Sequence, residues 1–266
     1  MKFINRAKAK LAAGFSYVGS INSSAKLIKN KKVSNNYTYI VYLAPANESG
    51  YNVCAYSTPE CRSGCLSRSG RVKMELAANK SVIQTARIKK TRLLFENQEF
   101  FMRWMIAEMI SYAAKAKRDG YAFSARLNGT SDIQWEHIKL DGKNIFQHFP
   151  ETVFYDYTKN ASRMLTKLAP NYHLTFSFNG KNEMISKKIL ETGGNVAVVF
   201  NIKKGKALPE TWNGFPVVDG DLTDYRPNDG SGVVVGLRWK NIADNATNDA
   251  ARNSIFVVQP EVAVTV

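Results

Sequence analysis

From Tyr37 almost to its end, this chain alternates strand-like and helix-like segments, and that alternation constrains its fold more than any other feature. Tyr37-Thr38-Tyr39-Ile40-Val41-Tyr42-Leu43 is β-branched and aromatic, which predicts a strand. Met74 to Leu94 and Glu96 to Lys117 read as helices, the second with an apolar face that includes Phe101, Trp104, Met105 and Met109. Further strands are predicted at Tyr121 to Leu127, Thr152 to Tyr157, His173 to Phe178, Val196 to Asn201, Pro216 to Val218 and Gly232 to Leu237. Short helices are predicted at Ile133 to Ile138, Ser162 to Leu168 and Glu183 to Glu191. Strands joined through helices need crossover connections, so the sheet should be mostly parallel. The expected class is α/β, with the sheet closed into a full or partial TIM-like barrel. The sequence contains neither GxGxxG nor a Walker-type GxxxxGK[ST], which weakens dinucleotide and ATP readings. Without an internal repeat, the simplest organisation is one barrel-like domain over residues 37–266 behind a basic N-terminal arm, residues 1–36.

All the cysteines, Cys54, Cys61 and Cys65, fall in the loop after the first core strand. A disulfide framework would scatter an even number of cysteines through the chain. Concentration in one loop points instead to a soft-metal or iron–sulfur site, with three thiolates holding a 4Fe–4S cube and leaving one iron open. Zinc is the competing metal, with His137, His148 or His173 as a fourth ligand. Arg62, Arg68 and Arg71 flank the loop and could offset a cluster's negative charge.

In parallel α/β folds, chemistry collects where strands end. Arg126 and the turn Asn128-Gly129-Thr130-Ser131-Asp132 close the second core strand, and both are candidate cofactor-binding positions. Asp132 suits a cofactor amine or ribose, although an Asp there also caps a following helix. Ser177 and Asn201 hold the equivalent places after later strands and join the candidate set. Asp219, Asp221, Asp224 and Asp229 crowd a turn-rich loop that reads as an acidic surface loop more readily than as a cation site. Arg238-Trp239-Lys240 offers an anion contact or a stacking surface.

Charge bears on partners. Lys and Arg number 37 against 22 Asp and Glu, a net +15. Such a balance favours nucleic acid, nucleotides or other polyanions. Much of the excess lies between Met1 and Lys32, where no acidic residue occurs. No stretch is apolar enough to span a membrane, and the start lacks the apolar run of a secretory signal. The expectation is an intracellular protein that is not secreted.

Two stretches carry a resemblance: Asn52 to Leu66, with its Cys-x6-Cys-x3-Cys spacing, and Arg126 to Ile133. Together they resemble the bacteriophage "gene product 88" family over roughly residues 37 to 240. That resemblance implies a phage origin, a host-cytoplasmic location and an iron–sulfur centre. A host factor becomes a second possible partner. A more distant similarity is to radical S-adenosylmethionine enzymes, which share the order strand, three-cysteine loop, helix, strand, polar glycine turn. It implies S-adenosylmethionine on the open iron, and radical chemistry on a nucleotide or nucleic acid. The sequence departs from that pattern in its wider cysteine spacing, in Gly64 before the last cysteine, and in the less acidic turn at residues 128–132.

Overall fold

A computed structural model describes residues 4–21, 25–166, 168–242 and 245–259. The chain runs α1 (Arg6–Ala13), β1 (Gly19–Ser20), α2 (Ala25–Val33), β2 (Asn36–Val41), α3 (Pro59–Ser63), α4 (Arg71–Ala77), α5 (Val82–Glu96), α6 (Gln98–Arg118) and β3 (Ala122–Arg126). There follow β4 (Lys139–Leu140), β5 (Lys143–Asn144), α7 (Ile145–His148), β6 (Val153–Thr158), α8 (Ala161–Leu165), β7 (Tyr172–Ser177), α9 (Glu183–Glu191) and β8 (Asn195–Phe200). The last part is β9 (Thr211–Trp212), β10 (Phe215–Asp219), β11 (Val234–Arg238), α10 (Asn245–Arg252) and β12 (Val257–Val258).

One ten-stranded sheet takes the order β1-β2-β3-β6-β7-β8-β11-β10-β9, with β12 also paired to β8. Every ladder from β2 to β10 is parallel; β1 and β9 pair antiparallel at the two edges. The mostly parallel sheet is therefore as the alternation required. Among the described residues no ladder joins β1 to β9, so the strand pairing does not close a barrel.

From β2 to β11 the strands lie in chain order without a reversal. Right-handed crossovers in such a series stack their helices on one face. On that face α6 packs over β2 and β3, and α9 over β7 and β8. Side chains alternate accordingly. Tyr39, Val41, Ala125 and Leu127 meet Phe101, Trp104, Met105 and Met109 of α6 in one core cluster. Phe176, Val196, Val198 and Phe200 meet Ile189 and Leu190 of α9 in a second. Alternate residues point the other way, and Ile40, Arg126, Tyr157, Ser177, Val199 and Leu237 line a large cavity.

The early part of the chain is joined to this body. Gly19 and Ser20 pair with Ile40 and Val41, so β1 extends the sheet. Glu108 of α6, fully buried, accepts the backbone N–H groups of Val18 (3.1 Å) and Gly19 (2.9 Å) and the Tyr39 hydroxyl (2.7 Å). Residues 1–3 and 22–24 of the expected arm lie outside the described residues, as does residue 167 of the expected helix Ser162 to Leu168. No helix among the described residues is long and apolar enough to cross a membrane.

Candidate functional site

The cavity has a volume of about 1660 Å³. A polar plug forms at the amino ends of the strands. Asn30 of α2 donates to Thr38 Oγ1 and to the Tyr155 hydroxyl, each at 3.2 Å. Its carbonyl oxygen accepts from the Thr223 hydroxyl and the Asp224 backbone N–H, each at 2.8 Å. The loop after β10 is thereby drawn beneath the sheet. Above the plug, the carboxyl ends of β2, β3, β6, β7 and β11 supply the wall.

All three cysteines line this cavity. Thr58 caps α3, taking the Cys61 N–H at 3.2 Å, and Cys65 leads into the single turn Leu66–Arg68. Short helical turns therefore set the directions of Cys61 and Cys65. Cys54 Sγ donates to the Thr130 carbonyl at 3.8 Å. Burial pushes the Cys54 thiol up to about 11, and burial also raises Cys65. These are neutral thiols at ordinary pH.

The expected 4Fe–4S cluster is corrected here. Among the described residues no group of three or more His, Cys, Asp or Glu side chains is placed to hold a metal ion. A single ion, as in the zinc alternative, would need every sulfur at ~2.3 Å from one point. Closeness in sequence does not impose that convergence when the intervening residues form separate turns. The zinc alternative fails on the same finding; of its candidate fourth ligands, His148 Nε2 sits 3.0 Å from the Leu140 carbonyl oxygen and His173 is a strand residue. S-adenosylmethionine was expected on the open iron and falls with the cluster.

The acidic loop is likewise occupied by cations of the chain. Asp219 and Asp221 take Arg238 at 2.8 and 3.4 Å, and Asp229 takes Arg226 at 3.2 Å.

The turn at residues 128–132 sits against the cysteine loop because β2 and β3 are parallel neighbours. Gly129, Thr130, Ser131 and Asp132 reach the cavity. Asn128, buried behind them, organises the turn: its side-chain oxygen accepts from Ser131 Oγ (2.8 Å), the Ile133 N–H (2.9 Å) and Trp135 Nε1 (3.1 Å). Gly129 is required by close approach, since a Cβ there would stand 2.7 Å from both the Tyr42 ring and the Val41 carbonyl oxygen. Asp132 is held by Arg163 Nη1 (3.1 Å) and by the Lys159 backbone N–H (2.8 Å), so both carboxylate oxygens have partners within the chain. Ser177 lines the cavity and accepts from Lys159 Nζ at 2.9 Å. Asn201 instead ties β8 to the chain end, donating to Gln259 Oε1 at 2.7 Å.

Positive charge distinguishes the wall. Arg126 is paired with Asp224 at 2.7 Å and covers the Tyr157 ring, its guanidinium carbon 4.8 Å from the centroid. Burial works against the charge on Arg126, but Asp224 and the surrounding tyrosines hold its pKa above the ordinary value. Arg87, Lys90 and Lys159 also line the cavity, and none of them makes an ion pair among the described residues. Arg87 donates to the Ser67 carbonyl at 3.1 Å and lies over Tyr42 at 5.2 Å, while its buried Nε has no hydrogen-bond partner. Burial lowers Lys90 to about 8. Burial works against the charge on Lys159, but its surroundings, the Asp132 carboxylate among them, hold its pKa above the ordinary value.

Sequence reasoning missed Arg87 and Lys90 because they lie inside a predicted helix. Their i, i+3 spacing, with Lys89 adjacent, was the available signal.

No curated protein and no solved structure matches the chain. The Gene product 88 family model matches residues 6–257, which includes most of the basic N-terminal segment. The chain belongs to this bacteriophage protein family.

Proposed function

We propose that this protein binds a polyanionic ligand, a nucleic acid or a nucleotide, in the cavity on the face of its sheet opposite α6 and α9. The observation that carries this reading is the composition of the wall. Arg71, Lys80, Arg87, Lys89, Lys90 and Lys159 line the cavity, and among the described residues its carboxylates are Asp132 and Asp224, both already bonded to arginine. Arg71, Lys80 and Lys89 are exposed at the rim, whereas Arg87, Lys90 and Lys159 are recessed, where a cation attracts an anion more strongly than on an exposed surface. Tyr42, Tyr157 and Trp239 stand in the same wall and provide faces on which a base can stack. The net charge of +15 agrees in sign. The sheet is best understood as a partial barrel whose open interior is the binding chamber.

Fluorescence anisotropy with a labelled oligonucleotide, and competition by ATP, test the reading. Binding should weaken as salt rises, with a log–log slope of about −2 to −4 for a few phosphate contacts. Failure of both ligands to bind at about 50 mM salt would refute it.

A further inference from the structure

We infer that the ligand is an unpaired nucleic-acid strand, with one of its phosphates held between Lys159 and Arg87; this rests on reading the cavity as a polyanion site. Size is the first argument. Small-molecule pockets enclose about 300–1,000 Å³. A cavity of about 1660 Å³ exceeds that range and suits an extended ligand.

Shape is the second. Proteins that read duplex DNA project a helix or a ribbon into a groove. Here the charge is recessed. Lys159 follows β6 inside the cavity, and Arg87 is drawn inward onto the Ser67 carbonyl. A stiff double helix cannot bring its phosphates to such groups, whereas a flexible single strand can enter and turn.

The third argument is the pair itself. Lys159 Nζ is steadied by Ser177 Oγ at 2.9 Å, and Arg87 keeps one buried Nε–H without an acceptor. Both cations border the cysteine loop, Lys159 beside Cys61 and Cys54, and Arg87 beside Cys65. No carboxylate lies within ion-pair distance of either among the described residues. A phosphate lodged between the Arg87 guanidinium and the Lys159 ammonium would supply the negative charge that neither cation finds in an ion pair.

The test uses the full chain and fluorescence anisotropy at about 100 mM salt. The probes are a ~20-nucleotide single-stranded DNA, the RNA of the same sequence and the corresponding duplex, with ATP as competitor. The single strands should bind at least about tenfold more tightly than the duplex, and ATP should compete weakly. Arg87→Gln and Lys159→Gln should each weaken single-strand binding at least about fivefold, while Arg87→Lys and Lys159→Arg retain most of it. Lys188→Gln, on the solvent-exposed side of α9, should leave it unchanged. Equal or tighter duplex binding, or tight binding of ATP without the oligonucleotides, would overturn this inference and leave the polyanion reading standing. Absence of all binding would overturn both. Equal losses in Lys188→Gln and in the cavity variants would also overturn it, because the contact would then be diffuse charge.

Discussion

Arg126 Nη1 donates to Asp224 Oδ2 at 2.7 Å, joining the end of β3 to the loop beneath the sheet. Asp224 is 3% exposed, so its charge depends on this partner and on its place in the plug. Removing one member of a buried pair leaves the other charge uncompensated, at a cost of about 3–5 kcal/mol. Asp224→Asn should therefore lower stability by about 3 kcal/mol in chemical denaturation. A change below about 0.5 kcal/mol would mean that water screens the pair as it does at a surface.

Glu108 holds the N-terminal segment to α6. Glu108→Ala leaves the Val18 and Gly19 N–H groups and the Tyr39 hydroxyl without their acceptor. The expected loss is about 3 kcal/mol. Limited proteolysis should then cut first near residues 14–21, because β1 no longer pairs firmly. Glu108→Gln keeps one acceptor oxygen and should lose about half as much.

Polyanion affinity should depend on pH through Lys90. Burial lowers this lysine to about 8, with Glu108 opposing the shift and Arg87 adding to it. Below that value the ammonium adds a positive charge to the wall; above it the amine is neutral. Oligonucleotide affinity should fall as pH rises through about 8, and Lys90→Gln should be weaker at pH ~7 and flatter across the window. An identical profile in the wild type and the variant would exclude Lys90 from the binding wall.

Cys54 should react slowly. With Cys54 pushed up to about 11 by burial, its thiolate near neutral pH is roughly a hundredfold scarcer than that of an ordinary cysteine. Iodoacetamide labelling followed by peptide mass spectrometry should place Cys54 far behind a free thiol, with a rate that climbs steeply above pH ~9. Rapid labelling at neutral pH would show that the site is wetter or more cationic than this packing allows.

Periodicity made most of the fold legible. The strand Tyr37 to Leu43 is β2 shifted by a residue or two, and Glu183 to Glu191 is α9 at both ends. Apolar alternation reports burial directly, so these elements needed no tertiary knowledge. The predicted helix Met74 to Leu94 is instead two helices, α4 and α5. Asn79 takes φ 51° between them, a left-handed position that side-chain periodicity does not reveal. Ile133 to Ile138 contains only the single turn Trp135–His137, because Asn128 captures the Ile133 N–H and Trp135 Nε1 and fixes a turn rather than a cap.

The site was legible as a place and misread as chemistry. Parallel neighbours β2 and β3 bring the cysteine loop and the Gly129 turn to one rim, as strand order suggested. Three thiols in one loop do not by themselves specify a metal centre: all three line the cavity, yet among the described residues no group of three or more ligands is placed to hold a metal ion. Arg87 reaches the cavity from a helix distant from these motifs in sequence, and only the packing of α5 beside the loop reveals it.

Photocrosslinking tests the central claim most directly. A single-stranded RNA carrying 4-thiouridine is irradiated with the protein, and the crosslinked peptides are identified by mass spectrometry. Crosslinks should fall on the cavity aromatics Tyr42, Tyr157 and Trp239 and be lost in Arg87→Gln. Crosslinks confined to α1 or the outer face of α9, with none in the cavity, would contradict the account.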